Sequence, residues 1–538
     1  MRRSPPILRI AAALGAAAAL AACDVPSAPR RAPASEREAP RNGGTFRLWN
    51  SAVGSLDPAL CFDVSTGNVL YQMFDGLVRF DTILNPVPSL AESWKVTRDG
   101  LVYTFRLRPG VRFHDGSTLD SEDVVYSFMR LFEIAKRAPT LGIDSLRVVE
   151  GAIARLAGDD EAPVAIVAKD PRTVEIRLRQ PAPFFLASLA DTRLSIVPRE
   201  TVKRIGDDAF GKNPVGTGPF ELDTWAERRI RLVRFDGHFR GPAHLDAIEF
   251  RDRELSEDSM PIDLLEKGEV DIALVTRKQE DESANSWRGP VMRHRNPGVY
   301  YLGFNVTLEP LNDPRVRRAI ACAIDRAAIA KSDPIRSGAV ATGFLPPGLR
   351  GYSPDDFLPE HDVAEAMRLL REAGFAEGEE IGPIPLWSVG QNADEERIMR
   401  DLRAVGIRTR HKTVHWFELQ RALAEGRVSM FILGDLAFLP DGAPMLDALF
   451  RSNGVSNFTR YERPEVDALV DQALEAYDSR RHLEICREIQ TLVAADMPCV
   501  PLYFDSETFA VSPRVRNLEL SPFGINHIHL GRTWLATQ

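Results

Sequence analysis

The chain has 538 residues, more than one ordinary hydrophobic core organises and enough for two or three domains. Apolar residues make up 44% and charged residues 27%, the ordinary balance of a soluble globular protein. The formal charge is -9, and an acidic balance argues against nucleic acid as a partner, because phosphate binding needs a basic face.

The N-terminus reads as an address. Arg2 and Arg3 form a positive segment, and Ile7 to Ala22 is apolar but for Arg9. That run is too short and too rich in alanine for a stable membrane span, so residues 1–22 are expected to be a leader peptide. It ends Leu20-Ala21-Ala22-Cys23, which resembles the lipobox of bacterial lipoproteins. The resemblance implies diacylation of Cys23 and attachment to a membrane surface, periplasmic or otherwise extracytoplasmic. Asp24 resembles an inner-membrane retention signal. Residues 23–42 are rich in Pro, Ala, Arg and Glu without a periodic apolar face, as in a disordered tether. Cys61, Cys322, Cys486 and Cys499 remain. Their spacing matches no zinc pattern. They permit three pairings, among which the sequence does not choose; Cys486 and Cys499, nearest in sequence, are the candidate disulfide, with free buried thiols as the alternative.

Gly43 to Leu48 opens the folded part as a strand, Leu56-Asp57-Pro58-Ala59 follows, and a helix is expected from Thr66 to Phe74 before the turn Asp75-Gly76. The punctuation is densest from Pro88 to Phe128. Trp94 to Thr97 is a short strand closed by Arg98-Asp99-Gly100, a hairpin signal because glycine accepts positive φ without strain. Leu101, Tyr103, Phe105 and Leu107 alternate with Val102, Thr104, Arg106 and Arg108, a strand with one buried face. Pro109-Gly110 turns the chain, and Val111 to Phe113 is expected as a third strand ending at His114-Asp115-Gly116. Asp120 is placed to cap the next helix, with Asp123 as its capping-box partner. Thr173 to Leu178 alternates again. Asn213 to Phe220 carries Gly216 and Gly218 around Thr217, but no Lys-Ser/Thr follows and a strand comes next instead of a helix, so a phosphate loop is not expected. Tyr300 to Asn305 is a strand, and Asp313-Pro314 starts a helix with Asp as cap and Pro at the first position. Further helices are expected over Asp362 to Ala373, Pro464 to Ala476 and Arg480 to about Ala495. Leu386 to Val389, Ile407 to Thr413 and Met430 to Leu433 read as strands. This alternation predicts an α/β lobe with a mainly parallel or mixed sheet.

The ordered segments PSLAESW, DGLVYTF, LRPGVRFHDG and EDVVYS, with GGTFRL and LDPA before them and PLNDPRVRRAI after them, resemble the family 5 extracellular solute-binding proteins that serve peptide and nickel ABC importers. The resemblance covers almost all of residues 43–525. It implies an α/β, two-lobed periplasmic-binding-protein-like fold (class II, cluster C) with an inserted α+β subdomain. Mapped here, residues 43–84, 198–298 and 503–538 make the first lobe, 85–197 the insertion and 299–502 the second lobe.

No enzyme signature stands out: there is no His-Glu-x-x-His, no Gly-x-Ser-x-Gly and no Walker loop. His411 and His415, and His527 and His529, are scattered pairs for which packing or surface roles outweigh metal ligation. No metal or cofactor is expected. A binding protein instead needs a cleft with backbone edges and a few orienting side chains. The best stretch is Phe431 to Asp435, continued by Leu436 to Phe450. In peptide-binding relatives a comparable stretch carries an Asp that pairs with the peptide's α-amino group, and Asp435 occupies that position; it alternatively caps a turn. After Gly434-Asp435 the chain departs from the pattern with Leu436-Ala437-Phe438-Leu439-Pro440-Asp441, so Asp441 is a second candidate. Trp416 sits where relatives carry a cleft aromatic, although it can equally be a packed core residue, and Tyr71 is a weaker guess of that kind. The resemblance thus implies a monomeric, lipid-anchored protein that captures an oligopeptide or similar solute for an ABC permease and its ATPase. The alternatives are a receptor or chaperone of the same fold, or an importer protein for a nickel chelate, haem or a sugar.

Overall fold

The computed structural model describes residues 39–51, 53–61, 63–82, 84–137, 141–226, 228–252, 261–275, 287, 289–332, 338–376, 378–389, 393–437, 439–521 and 524–536. The leader, Cys23 and most of the expected tether lie outside them. Among the described residues no helix is long and apolar enough to cross a membrane.

The spine is a ten-stranded mixed sheet in the order Ile407–Thr413, Ile381–Ser388, Met430–Leu436, Val291–Phe304, Cys499–Val511, Ile272–Val275, Thr45–Trp49, Ala247–Arg251, Arg229–Arg234 and Phe220–Ala226. Its two central strands are long, 14 and 13 residues, and antiparallel. Each runs from one lobe into the other, so the lobes share a two-stranded ribbon. The register along that ribbon shifts between Arg295 and Val299 and again between Tyr300 and Tyr301. On one side of the ribbon a core from Val299 to Phe504 fills the second lobe. On the other, Phe46 to Met73, Val197 to Phe250 and Phe509 to Leu530 build the first. A third core, from Ala59 to Ile196, belongs to the inserted subdomain.

That subdomain has an antiparallel sheet ordered Ala91–Val96, Val102–Leu107, Thr173–Arg177 and Ile166–Asp170. The expected hairpin forms, with Trp94 opposite Phe105, and Gly100 supplies the positive φ (72°) that the turn needs. Tyr103, Phe105 and Leu107 all point into the core. Asp120 caps the helix Ser121–Ala135 through a full capping box with Asp123. Asp313 caps Pro314–Ala323 as expected, and Asp362, expected as the first residue of its helix, caps Val363–Glu372.

Val111 to Phe113 does not become a third strand; it makes only an isolated bridge, Arg112 with Thr118. Its backbone is used otherwise. Phe113 N–H bonds back to Ser117 O, and His114 N–H donates to Gly216 O at 2.9 Å. His114 Nδ1 also accepts from Gly216 N–H (3.2 Å), and Nε2 lies 3.0 Å from Gly218 O. Two sequence landmarks thus dock on each other. Both glycines are required by close approach: a Cβ on Gly216 would sit 2.0 Å from Met73 O, and one on Gly218 2.5 Å from Gln72 O. Burial lowers the His114 pKa to about 4, so the ring stays neutral and keeps one nitrogen as acceptor.

The candidate disulfide is not formed. Cys61, Cys322, Cys486 and Cys499 are all free and buried. Cys486 lies inside the helix Ser479–Asp496 against His482 (Sγ to Nε2 3.6 Å), whereas Cys499 begins the next strand opposite Gly303. Closeness in sequence does not bring the thiols together because most of a helix separates them. Burial pushes the Cys486 thiol up to about 12.

Candidate functional site

The strand directions locate the cleft. In the second lobe Met430–Leu436 runs antiparallel to the ribbon strand, so Phe304 faces Met430 far from the crossover and Gly298 faces Leu436 beside it. Ile381–Ser388 and Ile407–Thr413 run parallel to it. In the first lobe Ile272 pairs with Val511 and Val275 with Thr508, nearer the crossover, and Thr45–Trp49 and Ala247–Arg251 run the same way. Both lobes therefore aim the carboxyl ends of their parallel strands at the crossover. That is where open α/β sheets bind ligands.

Gly434, Asp435, Leu436 and Trp416 all lie at this edge of the second lobe. Asp435 is half-buried, opposite Val299, which in turn pairs with Phe504. Burial raises its carboxyl pKa to about 6, opposed only by a hydrogen bond from Leu436 N–H. No cation pairs with it among the described residues. The same strand has an open backbone edge. Its pairing with Ile381–Ser388 stops at Phe431, whereas its pairing with the ribbon continues to Leu436. Trp416 is 43% exposed at the start of the helix Trp416–Ala424.

Gly434 answers to packing. The Tyr300 ring covers it so closely that a Cβ would lie 2.5 Å from Tyr300 Cζ. Tyr300 stacks on Tyr503 (5.1 Å between centroids), and Tyr503 Oη donates to Asp394 Oδ2 at 2.9 Å. Sequence reasoning missed this aromatic wall beside Asp435. The alternation in Tyr300-Tyr301 and Leu502-Tyr503 places one tyrosine of each strand on the same face, which was the available signal.

Asp441 is placed differently. It is 6% exposed and caps the helix Gly442–Phe450 through Ala443 N–H (2.9 Å). Arg350 Nη1 donates to its Oδ2 at 2.9 Å, and His482 Nε2 lies 3.1 Å from its Oδ1. Burial alone would raise its pKa, but His482, the Ala443 N–H and Arg350 together hold it below the usual carboxylate value. Both oxygens are occupied, so Asp441 builds the lobe. Tyr71 is also away from the cleft edge: it lies on the helix Val64–Met73 and its hydroxyl meets His529 Nε2 at 2.8 Å. His411 Nε2 bonds to Ser388 Oγ (2.8 Å), and among the described residues no group of three His, Cys, Asp or Glu could hold a metal ion.

The inserted subdomain touches the second lobe. Tyr103 and Tyr477 hydroxyls are 3.4 Å apart, and the Tyr477 hydroxyl also lies over Gly100. Arg350 positions this contact, donating from Nη2 to Ala476 O (2.6 Å) and Tyr477 O (3.1 Å).

Two lobes on a shared ribbon, strand ends facing each other across it and, at the edge, a carboxylate with no cationic partner among the described residues define a two-lobed solute-binding protein. The family described as bacterial extracellular solute-binding proteins, family 5 Middle, matches residues 85–457. The chain belongs to that family. It is 27% identical to heme-binding protein A of Haemophilus influenzae over 96% of this chain and 98% of that protein. It is 28% identical to the dipeptide-binding protein of Escherichia coli over 82% of this chain and 85% of that protein. Its fold matches the DppA periplasmic binding protein of Helicobacter pylori in complex with the peptide STSA, with a TM-score of 0.79 at 24% identity, covering 92% and 99% of the two chains.

Proposed function

We propose that this protein captures a short peptide in the cleft between its lobes, without turnover, and hands it to an ABC permease. The observation that carries the reading is Asp435: a half-buried carboxylate without a cationic partner among the described residues, on a strand whose next edge is open. A peptide α-ammonium would supply the missing charge, and the peptide backbone would add along Ile432–Leu436 as a further strand, which is indifferent to side chains. Leu436 N–H orients the carboxylate, Gly434 admits Tyr300, and exposed Trp416 offers a surface to ligand side chains. The dipeptide-binding relative supports the substrate class.

Closure is a bend of the ribbon. Ligand contacts with both lobes favour the closed form, and Tyr103 meets Tyr477 where the insertion touches the second lobe. The three cores support a first lobe of 43–84, 198–298 and 503–538, an insertion of 85–197 and a second lobe of 299–502. The protein works as a monomer held to the membrane surface by lipid on Cys23, outside the described residues.

Calorimetric titration with trialanine and N-acetyl-trialanine tests the reading. The free amine should bind about 10–100-fold more tightly, the worth of one charge-assisted pair. Equal affinity would remove Asp435 from the ammonium site. Binding of haem with neither peptide would overturn the substrate class and leave the fold untouched.

A further inference from the structure

The first lobe and the inserted subdomain enclose a cavity of about 420 Å³. Its walls come from 71–89, 190–195, 219–244 and 519–532, and none from the second lobe. A molecule bound here would not bridge the lobes. The volume falls within the range of small-molecule sites, roughly 300–1,000 Å³.

The lining carries three arginines and the carboxylates Asp75, Asp81 and Glu519, but they do not pair one to one. Arg79, Arg240 and Arg532 all line the cavity. Arg240 has a counterion: its Nη2 donates to Asp75 Oδ1 at 2.9 Å. Asp75 is spent in doing so, since it also accepts from Ser89 Oγ (3.2 Å) and Thr217 Oγ1 (3.1 Å). Burial opposes its ionisation, yet Arg240 and its other neighbours hold its pKa well below the usual value. Arg79 has no such partner. Nη1 donates to Phe80 O at 3.2 Å, and Nε is buried without an acceptor. Burial and then the nearby Arg240, with Arg532 behind it, depress its pKa, while Tyr71 and the Asp75 carboxylate only partly oppose them, so these guanidinium groups repel one another. Arg532 stands at the exposed rim and makes no ion pair among the described residues. The rim carboxylates do not make up the difference: Asp81 accepts from Asn85, Glu519 is exposed, and neither pairs with Arg79 or Arg532.

We infer that this cavity is a second binding site, for a small oxyanion, built by Arg79, Arg240 and Arg532 and separate from the interlobe cleft. Guanidinium groups present planar forks that match carboxylate and phosphate alike. The Tyr71–His529 hydrogen bond closes one wall with polar groups and leaves their rings 4.6 Å apart beside the anion. An anion here offsets the repulsion among the three guanidinium groups. It also braces the inserted subdomain against the first lobe.

The test titrates the full chain with succinate and with inorganic phosphate, each with and without saturating trialanine. At least one anion should bind saturably, one per chain, equally well in both conditions; which one binds separates a carboxylate ligand from a phosphate. Arg79→Gln and Arg532→Gln should each weaken it by about tenfold or more, the loss expected for one charged hydrogen bond. Neither should change trialanine affinity, and Asp435→Asn should do the reverse, so this site and the peptide site fail separately. In anion-free buffer Arg79→Gln should melt no lower than the parent, because it removes a repulsion and no ion pair. The proposal is overturned if neither anion binds saturably, if Arg79→Gln binds as well as the parent, or if trialanine displaces the anion.

Discussion

Asp435 lies in the strand Met430–Leu436 and Asp441 caps the helix that follows, and the fold treats the two carboxylates in opposite ways. Asp441 has every acceptor site filled by a helix N–H, an arginine and a histidine. Asp435 has one backbone N–H and a raised pKa. Saturated carboxylates are parts of the frame, and an unsaturated one within reach of solvent is an invitation to a cation. Asp75 repeats the first case in the other lobe, which makes the contrast a property of surroundings rather than of sequence position.

The largest effect should come from the saturated member. Asp441→Ala leaves Arg350 without its counterion, takes a hydrogen-bond partner from buried His482 and removes a cap, and should cost about 3–5 kcal/mol in urea denaturation. A variant as stable as the parent would break the contrast at its firm end. Where Asp441→Ala remains folded, its peptide affinity should stay within about threefold, provided Tyr477 keeps its place.

Asp435→Asn should do the converse. Peptide affinity should fall by about 2 kcal/mol, read by calorimetry, with no loss of stability. Stability should in fact rise at alkaline pH. The folded chain holds the Asp435 proton more tightly than the unfolded chain, so ionisation costs stability as pH rises through about 6. Asparagine removes that cost, a gain of about 1–2 kcal/mol at pH 8 and close to none at pH 4.

A smaller effect sharpens the same comparison through pH. Binding of an ammonium needs the ionised carboxylate, which is about a tenth of the empty protein at pH 5. Trialanine affinity should fall about tenfold from pH 7.5 to 5, while the Asp435→Asn profile stays flat. A parallel fall in both would assign the titration to another group.

The smallest effect concerns the contact between the insertion and the second lobe. Tyr477→Phe removes one hydroxyl from a contact between mobile parts and should weaken closure by about 0.5–1 kcal/mol. Small-angle scattering at subsaturating peptide should show a larger mean radius than for the parent.

Much of this frame is legible in the sequence. The caps at Asp120 and Asp313 and the Gly100 turn are local and can be read from spacing alone. Asp435 is found only because the strand ending there resembles those of relatives. What is not legible is long-range. Arg350 is 91 residues from Asp441, and nothing near either announces the pair. Gly434 reads as a loop residue until Tyr300 is laid across it. Val111 to Phe113 has strand composition, but His114 draws its backbone away to Gly216. Cys486 and Cys499 are neighbours only along the chain.

The ribbon has a mechanical consequence. Its hydrogen bonds lie across the strands, so a pull that separates the lobes end to end loads the whole ladder in shear, many bonds at once. A rotation of one lobe on the other is absorbed where the register already slips, between Arg295 and Val299. The joint is thus stiff to stretching and compliant to bending. A binding protein so jointed can swing through many cycles of capture and release while the distance between its halves stays fixed.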